Sequence, residues 1–135
     1  MKKVILSIAL FTAVLVSANN QPINVKPITY SKTVSVNAFC KLIQMGDYDA
    51  VKSLIKNGED INKKSVGLTP LMYAARHNKA AIAKLLIESG AKLKLKSDMR
   101  NMTALKWAKI SGAKDSYKVL KDAIETQKAL RKKRK

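Results

Sequence analysis

An all-α solenoid of about three helix–loop–helix repeats is the architecture to expect from this sequence, on three grounds. The first is composition. Of 135 residues, 47% are hydrophobic and only 5% aromatic, with Ala, Leu, Ile and Lys dominant and few helix breakers (five Gly, three Pro). Ala, Leu and Lys are strong helix formers, and the low aromatic content speaks against a β-sandwich. The second is self-similarity: one block occurs three times, with a period of about 33 residues. The third is punctuation, because each copy reads as two short apolar-periodic stretches divided by a polar break.

The chain begins with a segment that reads as an address. Met1-Lys2-Lys3 precedes an apolar run from Val4 to Val16, and Val16-Ser17-Ala18 offers short side chains at a cleavage position. This is the secretory signal pattern, with a cut expected after Ala18. The run is too short to span a bilayer core. Residues 1–18 are therefore read as a signal peptide, and the remainder as a periplasmic or secreted protein. Residues 19–35, with Pro22 and Pro27 and no helical period, read as an extended linker.

The repeats occupy 36–126, divided at about 36–66, 67–100 and 101–126. Phe39, Leu42, Val51, Leu54 and Gly58 recur at one constant offset as Leu71, Ala74, Ala83, Leu86 and Gly90. Thr69-Pro70-Leu71 recurs at a slightly longer offset as Thr103-Ala104-Leu105. The unequal spacings imply one loop shortened and one lengthened by a residue. In the middle copy, Thr69 is placed to cap a helix with Pro70 in its first turn, where a missing N–H is harmless. His77-Asn78-Lys79 breaks that helix; Ile82, Leu85 and Leu86 mark a second one, which Gly90 stops. The first copy breaks at Met45-Gly46-Asp47 and stops at Asn57-Gly58. In the third copy, the break is Ser111-Gly112-Ala113 and the last helix runs on through Tyr117, Leu120, Ile124 and Gln127, in the manner of a terminal cap. Residues 127–135 are left as a basic tail.

Gly67-Leu68-Thr69-Pro70-Leu71-Met72-Tyr73-Ala74-Ala75, followed by Leu85-Leu86-Ile87-Glu88-Ser89-Gly90-Ala91, resembles the ankyrin repeat, and the resemblance extends over roughly Val36 to Ala123. The His that usually follows Thr-Pro-Leu is Met72 here and Lys106 in the third copy. The resemblance implies an ankyrin-repeat solenoid whose inter-repeat loops and first helices line a concave face that binds other macromolecules. Carried over by position, this face presents Lys41, Gln44 and Met45 in the first copy. The second contributes Ser65, Val66, Leu68, Tyr73, Arg76 and His77, and the third Met99, Arg100, Met102, Trp107 and Ile110. Trp, Tyr and Arg are enriched at binding hot spots. An exported, non-enzymatic adaptor for an unidentified protein follows as the expectation, acting as a monomer.

Charge supplies the alternative. The net charge is +18, from 27 Lys+Arg against 9 Asp+Glu. Lys92, Lys94 and Lys96 alternate between copies two and three, and in an extended segment would share one side. Arg131-Lys132-Lys133-Arg134-Lys135 closes the chain. Such density attracts anionic envelope lipid or another polyanion.

Chemistry finds no foothold. The one Cys, Cys40, and the one His, His77, fall in different copies with no third group to orient them. Cys40 is read as a small buried hydrophobe. The carboxylates are scattered without metal-ligand spacing, and no Gly-rich phosphate loop occurs. No catalytic residue, metal, cofactor or small-molecule substrate is expected.

Overall fold

The computed structural model describes residues 35–134. The expected signal peptide and nearly all of the expected linker lie outside them, as does Lys135. Among the described residues there are six helices and no strand. They are α1 (Ala38–Met45), α2 (Tyr48–Lys56), α3 (Pro70–Arg76), α4 (Ala80–Glu88), α5 (Ala104–Ile110) and α6 (Lys114–Lys133). Each copy is an antiparallel pair. The first helices pack in one row, α1 on α3 on α5, and the second helices in another, α2 on α4 on α6.

Local chemistry sets the boundaries. Asn37, Thr69 and Thr103 occupy the three N-cap positions of the inner row. The Asn37 side chain accepts from Cys40 N at 2.8 Å, and Thr69 Oγ1 from Met72 N at 3.3 Å. Met72, where the family usually has His, turns its thioether back so that Thr69 N donates to Sδ at 3.4 Å. Thr103, followed by Lys106, makes no side-chain cap bond. The turn from inner to outer helix places one residue in the left-handed region in each copy: Gly46, Asn78 and Gly112.

The unequal spacings originate in the two hairpins, one shortened and one lengthened, as the spacing implies. The steps from Asn37 to Thr69, Gly58 to Gly90 and Ser65 to Ser97 are all equal, so the first two copies stay in register as far as Ser97. The difference arises in the hairpins. Ser65 and Leu68 exchange backbone hydrogen bonds at 2.8 and 3.1 Å around Val66 and Gly67, both with positive φ. In the third copy, Ser97 and Met102 enclose the longer segment from Asp98 to Asn101, with Ser97 N donating to Met102 O at 2.9 Å. The short tip at Val66–Gly67 and the longer one at Asp98–Asn101 together account for the unequal offsets.

The core is one continuous cluster in which Ile43, Leu71, Met72, Leu86 and Leu120 are fully buried. Between α1 and α5, with α4 behind it, α3 has every residue from Pro70 to Ala75 buried. Ala74 and Ala75 allow that close approach. Polar links bind successive copies. Asn37 N donates to Ser65 Oγ at 2.9 Å, Lys92 N to Asn62 Oδ1 at 2.9 Å, and Asp98 N to Gly67 O at 3.0 Å.

The last helix departs from the expected domain boundary. It continues past 126 to Lys133, so most of the expected tail is helical. The charged run Arg131 to Lys133 forms its last turn, where cations favour the helix dipole.

Candidate functional site

The face with the chemistry to bind a partner is formed by the ends of α1, α3 and α5 together with the two hairpins. Six large apolar side chains are exposed among the described residues, and four of them lie here. Met45 (67% exposed) and Ile110 are the last residues of α1 and α5, while Val66 and Met99 (81% exposed) sit at the hairpin tips. Arg76, the last residue of α3, is exposed, as are Lys41, His77 and Arg100.

Four residues expected on this face, Ser65, Leu68, Tyr73 and Trp107, are placed inside it. Tyr73 is 3% exposed and its hydroxyl donates to the Ser65 carbonyl at 2.9 Å, so it ties α3 to the hairpin. Burial pushes its phenol above the ordinary value of 10.0, Cys40 adds to this, and the Ser65 side chain and Arg76 oppose it. Leu68 is buried as the second member of the Ser65 pairing. Trp107 is 8% exposed and packs into the core cluster. Tyr73 and Trp107 share a physical reason: α3 and α5 are short helices pressed between neighbours, and only Arg76 of α3 and Lys106, Lys109 and Ile110 of α5 are exposed.

Trp107 nonetheless organises the surface above it. The Arg76 guanidinium lies over its ring at 5.5 Å from the centroid and that of Arg100 at 5.7 Å, both within cation–π range. Its Nε1–H is buried without a hydrogen-bond partner among the described residues. Sequence reasoning selected all three residues without seeing that they form one cluster. Arg76 and Arg100 are distant in sequence, and the row α3–α5 brings them to one indole.

The electrostatics of the face are one-sided. Helices α1, α3 and α5 contain no acidic residue and carry Lys41, Arg76, Lys106 and Lys109. The carboxylate nearest the cluster in sequence, Asp98, is engaged by Lys64 in an ion pair. His77 reports the same field: partial burial, then Arg76 and Lys79, hold its imidazole below the ordinary 6.5.

The residues of the charge reading occupy a different place. Lys92, Lys94 and Lys96 are exposed and alternate with buried Leu93 and half-buried Leu95. Lys92 and Lys94 line a shallow groove with Gln127 and Arg131 of α6. Lys132, Lys133 and Arg134 are exposed at the end of that helix.

Cys40 is fully buried as a free thiol, pushed up to about 12 by burial and by Glu59. A thiol in that state is a poor nucleophile. Among the described residues no group of three or more His, Cys, Asp or Glu side chains has the arrangement to hold a metal ion. Nor is any described helix long and apolar enough to cross a membrane.

Two rows of helices, paired hairpins and this repeat length define a repeat-stack binding scaffold. The family "Ankyrin repeats (3 copies)" matches residues 39–130, and the chain belongs to the ankyrin-repeat family. Repeats of this family generally mediate protein–protein interaction and are typically non-enzymatic. The chain is 31% identical over 97 residues to the potassium channel GORK of Arabidopsis thaliana, covering 71% of this chain and 12% of the channel. It is 36% identical over 70 residues to a putative ankyrin repeat protein of Rickettsia bellii (strain RML369-C), covering 48% of this chain and 10% of that protein. The chain thus spans about a tenth of these relatives' lengths. Among solved structures, it resembles one chain of a complex described as the predatory endopeptidase Bd0816 from Bdellovibrio bacteriovorus with immunity protein Bd3460. That match has a TM-score of 0.61 and 33% identity, over 66% of this chain and 47% of that one.

Proposed function

We propose that this protein is an exported adaptor that binds a protein partner through the face carrying α1, α3 and α5, with no chemistry of its own. The observation that carries the reading is the exposure of Met45, Val66, Met99 and Ile110 at the ends of α1 and α5 and at the two hairpin tips. Exposed apolar side chains interleaved with Arg suit the desolvated centre of a protein interface, and Met adapts to irregular partners. The complex of an endopeptidase with an immunity protein, to which the fold is similar, supports a protein as the ligand. Export rests on the signal pattern of residues 1–18.

The test is affinity capture from nuclease-treated envelope extract, with the chain as bait beside a Met45→Glu/Met99→Glu variant of equal thermal stability. The adaptor reading expects a protein that stays bound in ~0.5 M salt, where exposed charge attraction is screened, and is lost with the variant. Only salt-labile, variant-insensitive material would contradict it.

A second reading is a cationic binder of anionic envelope lipid or polyanion. It is favoured by the groove that Lys92, Lys94 and Arg131 line together. Its affinity would fall by orders of magnitude with added salt.

A further inference from the structure

The cluster around Trp107 is rich in donors and lacks an acceptor. Arg76 and Arg100 are exposed, and each guanidinium lies over the same indole. A cation–π contact uses the face of the ring and forms no N–H···O bond, so the guanidinium N–H groups remain available to an acceptor. No carboxylate takes up those groups: among the described residues, the ion pairs are Lys64 with Asp98 and Lys84 with Glu88. The Trp107 Nε1–H beneath is enclosed and without a partner, a costly state for a buried donor.

The wider charge pattern excludes an internal partner. Of the nine acidic residues in the chain, eight lie on α2, α4 and α6 or in the turns beside them, and the ninth is Asp98, held by Lys64. Two oriented guanidiniums without a counter-charge match a carboxylate, which accepts bidentate hydrogen bonds from the guanidinium fork. Met99 and Ile110 nearby in sequence are strongly exposed and apolar. A phosphate chain has nothing to offer them, whereas a peptide carries acidic and apolar side chains side by side.

We propose that Arg76, Arg100 and Trp107 form a carboxylate-binding site, which takes an Asp or Glu side chain from an acidic, partly apolar segment of a protein partner. This rests on the adaptor reading and names the chemistry of its ligand. The arginines are the contact residues, and the indole beneath orients them.

Trp107 is the only tryptophan, so its emission reports the site directly. The full chain is titrated with an end-blocked heptapeptide containing two Glu and two Leu, and with the same peptide carrying Gln for Glu. Inorganic polyphosphate and phosphatidylglycerol vesicles are the other arms. Arg76→Gln/Arg100→Gln is compared with Lys106→Gln/Lys109→Gln, which removes equal charge from the same row of helices. Circular dichroism checks that both variants fold. The Glu peptide is expected to shift Trp107 emission saturably, with affinity falling about tenfold or more in the arginine variant, as loss of charge-assisted hydrogen bonds demands. The lysine variant should lose less than about threefold, and the Gln peptide should not bind. Equal losses in both variants, equal binding of the Gln peptide, or an arginine-dependent response to polyphosphate or vesicles alone would overturn the carboxylate site. If that happens while a salt-resistant protein partner is still captured, the adaptor reading stands without this site; loss of both removes it as well.

Discussion

Asn78 of the second copy caps the last helix of the third: its Oδ1 accepts from Ser116 N at 3.0 Å, while its Nδ2 donates to Asp115 Oδ2 at 3.0 Å. Helix α6 needs this, because its own N-cap residue, Ala113, has no side-chain acceptor. Asn78 holds a φ of 52°, a left-handed conformation that Asn tolerates. One side chain therefore closes a turn in one copy and starts a helix in the next.

Replacing Asn78 separates the two roles. Asn78→Gly keeps the backbone conformation and loses the cap, at a cost of about 1 kcal/mol. Asn78→Ala loses the cap and adds roughly 1 kcal/mol of left-handed strain. Urea unfolding should rank the chains wild type, Gly variant, Ala variant. A variant as stable as wild type would show that α6 does not depend on the cap.

Val66 is the opposite case, a β-branched residue at a φ of 51° in a two-residue hairpin. Paired positive φ values at Val66 and Gly67 with reciprocal Ser65–Leu68 bonds are the signature of a type I′ turn, which favours Asn-Gly. The Val66 side chain is exposed, so no core packing is lost on substitution. Val66→Asn should stabilise the protein by about 1 kcal/mol in urea unfolding. If Val66 contacts the partner, the same variant should bind it less well.

Tyr73→Phe tests whether that hydroxyl serves the fold. The Ser65 carbonyl also accepts from Leu68 N, so losing the Tyr73 hydroxyl does not orphan it. The expected cost is therefore near the lower end for a hydrogen bond, about 0.5–1 kcal/mol. Thermal unfolding measures it, and partner affinity should be unchanged because the ring is buried.

Stability should fall in alkali through Cys40. Its folded value, about 12, lies above the ordinary 9.0. Below pH 9 the thiol is neutral in both folded and unfolded chains, and the full stability is present. As pH rises further the unfolded chain ionises first, so stability declines until the folded value is passed. Tyr73, also raised, acts in the same direction from pH 10 upward. Comparing wild type with Cys40→Ala at pH 8 and 10.5 isolates the thiol. The wild type should lose roughly 2 kcal/mol more than the variant over that interval. Equal losses would mean that the thiol is accessible to water.

Much of this fold was legible in the sequence because caps, breaks and stops are local. Thr69-Pro70, the polar break at His77-Asn78-Lys79 and Gly90 each announce a backbone event that residue chemistry alone requires. Exposure was less legible. Assigning Tyr73, Leu68 and Trp107 to a binding face carried them over by position from the ankyrin resemblance, without regard to which side chains the neighbouring helices cover. In a stack, α3 has neighbours on both sides, and the pair Ala74-Ala75 was the available sign of that close approach. The Arg76–Trp107–Arg100 cluster was illegible for a related reason: it forms only when the inner helices pack in register. The extent of α6 was missed because Lys-rich residues at its end resemble a solvated tail while also being good helix formers.

The most direct test of the account is hydrogen–deuterium exchange of the full chain with and without its captured partner. Protection is expected at the ends of α1, α3 and α5 and in the hairpins around Val66 and Met99, with α2 and α4 unchanged. Protection confined to the Lys92–Lys96 loop and the end of α6 would contradict it, and would assign binding to the charged groove instead.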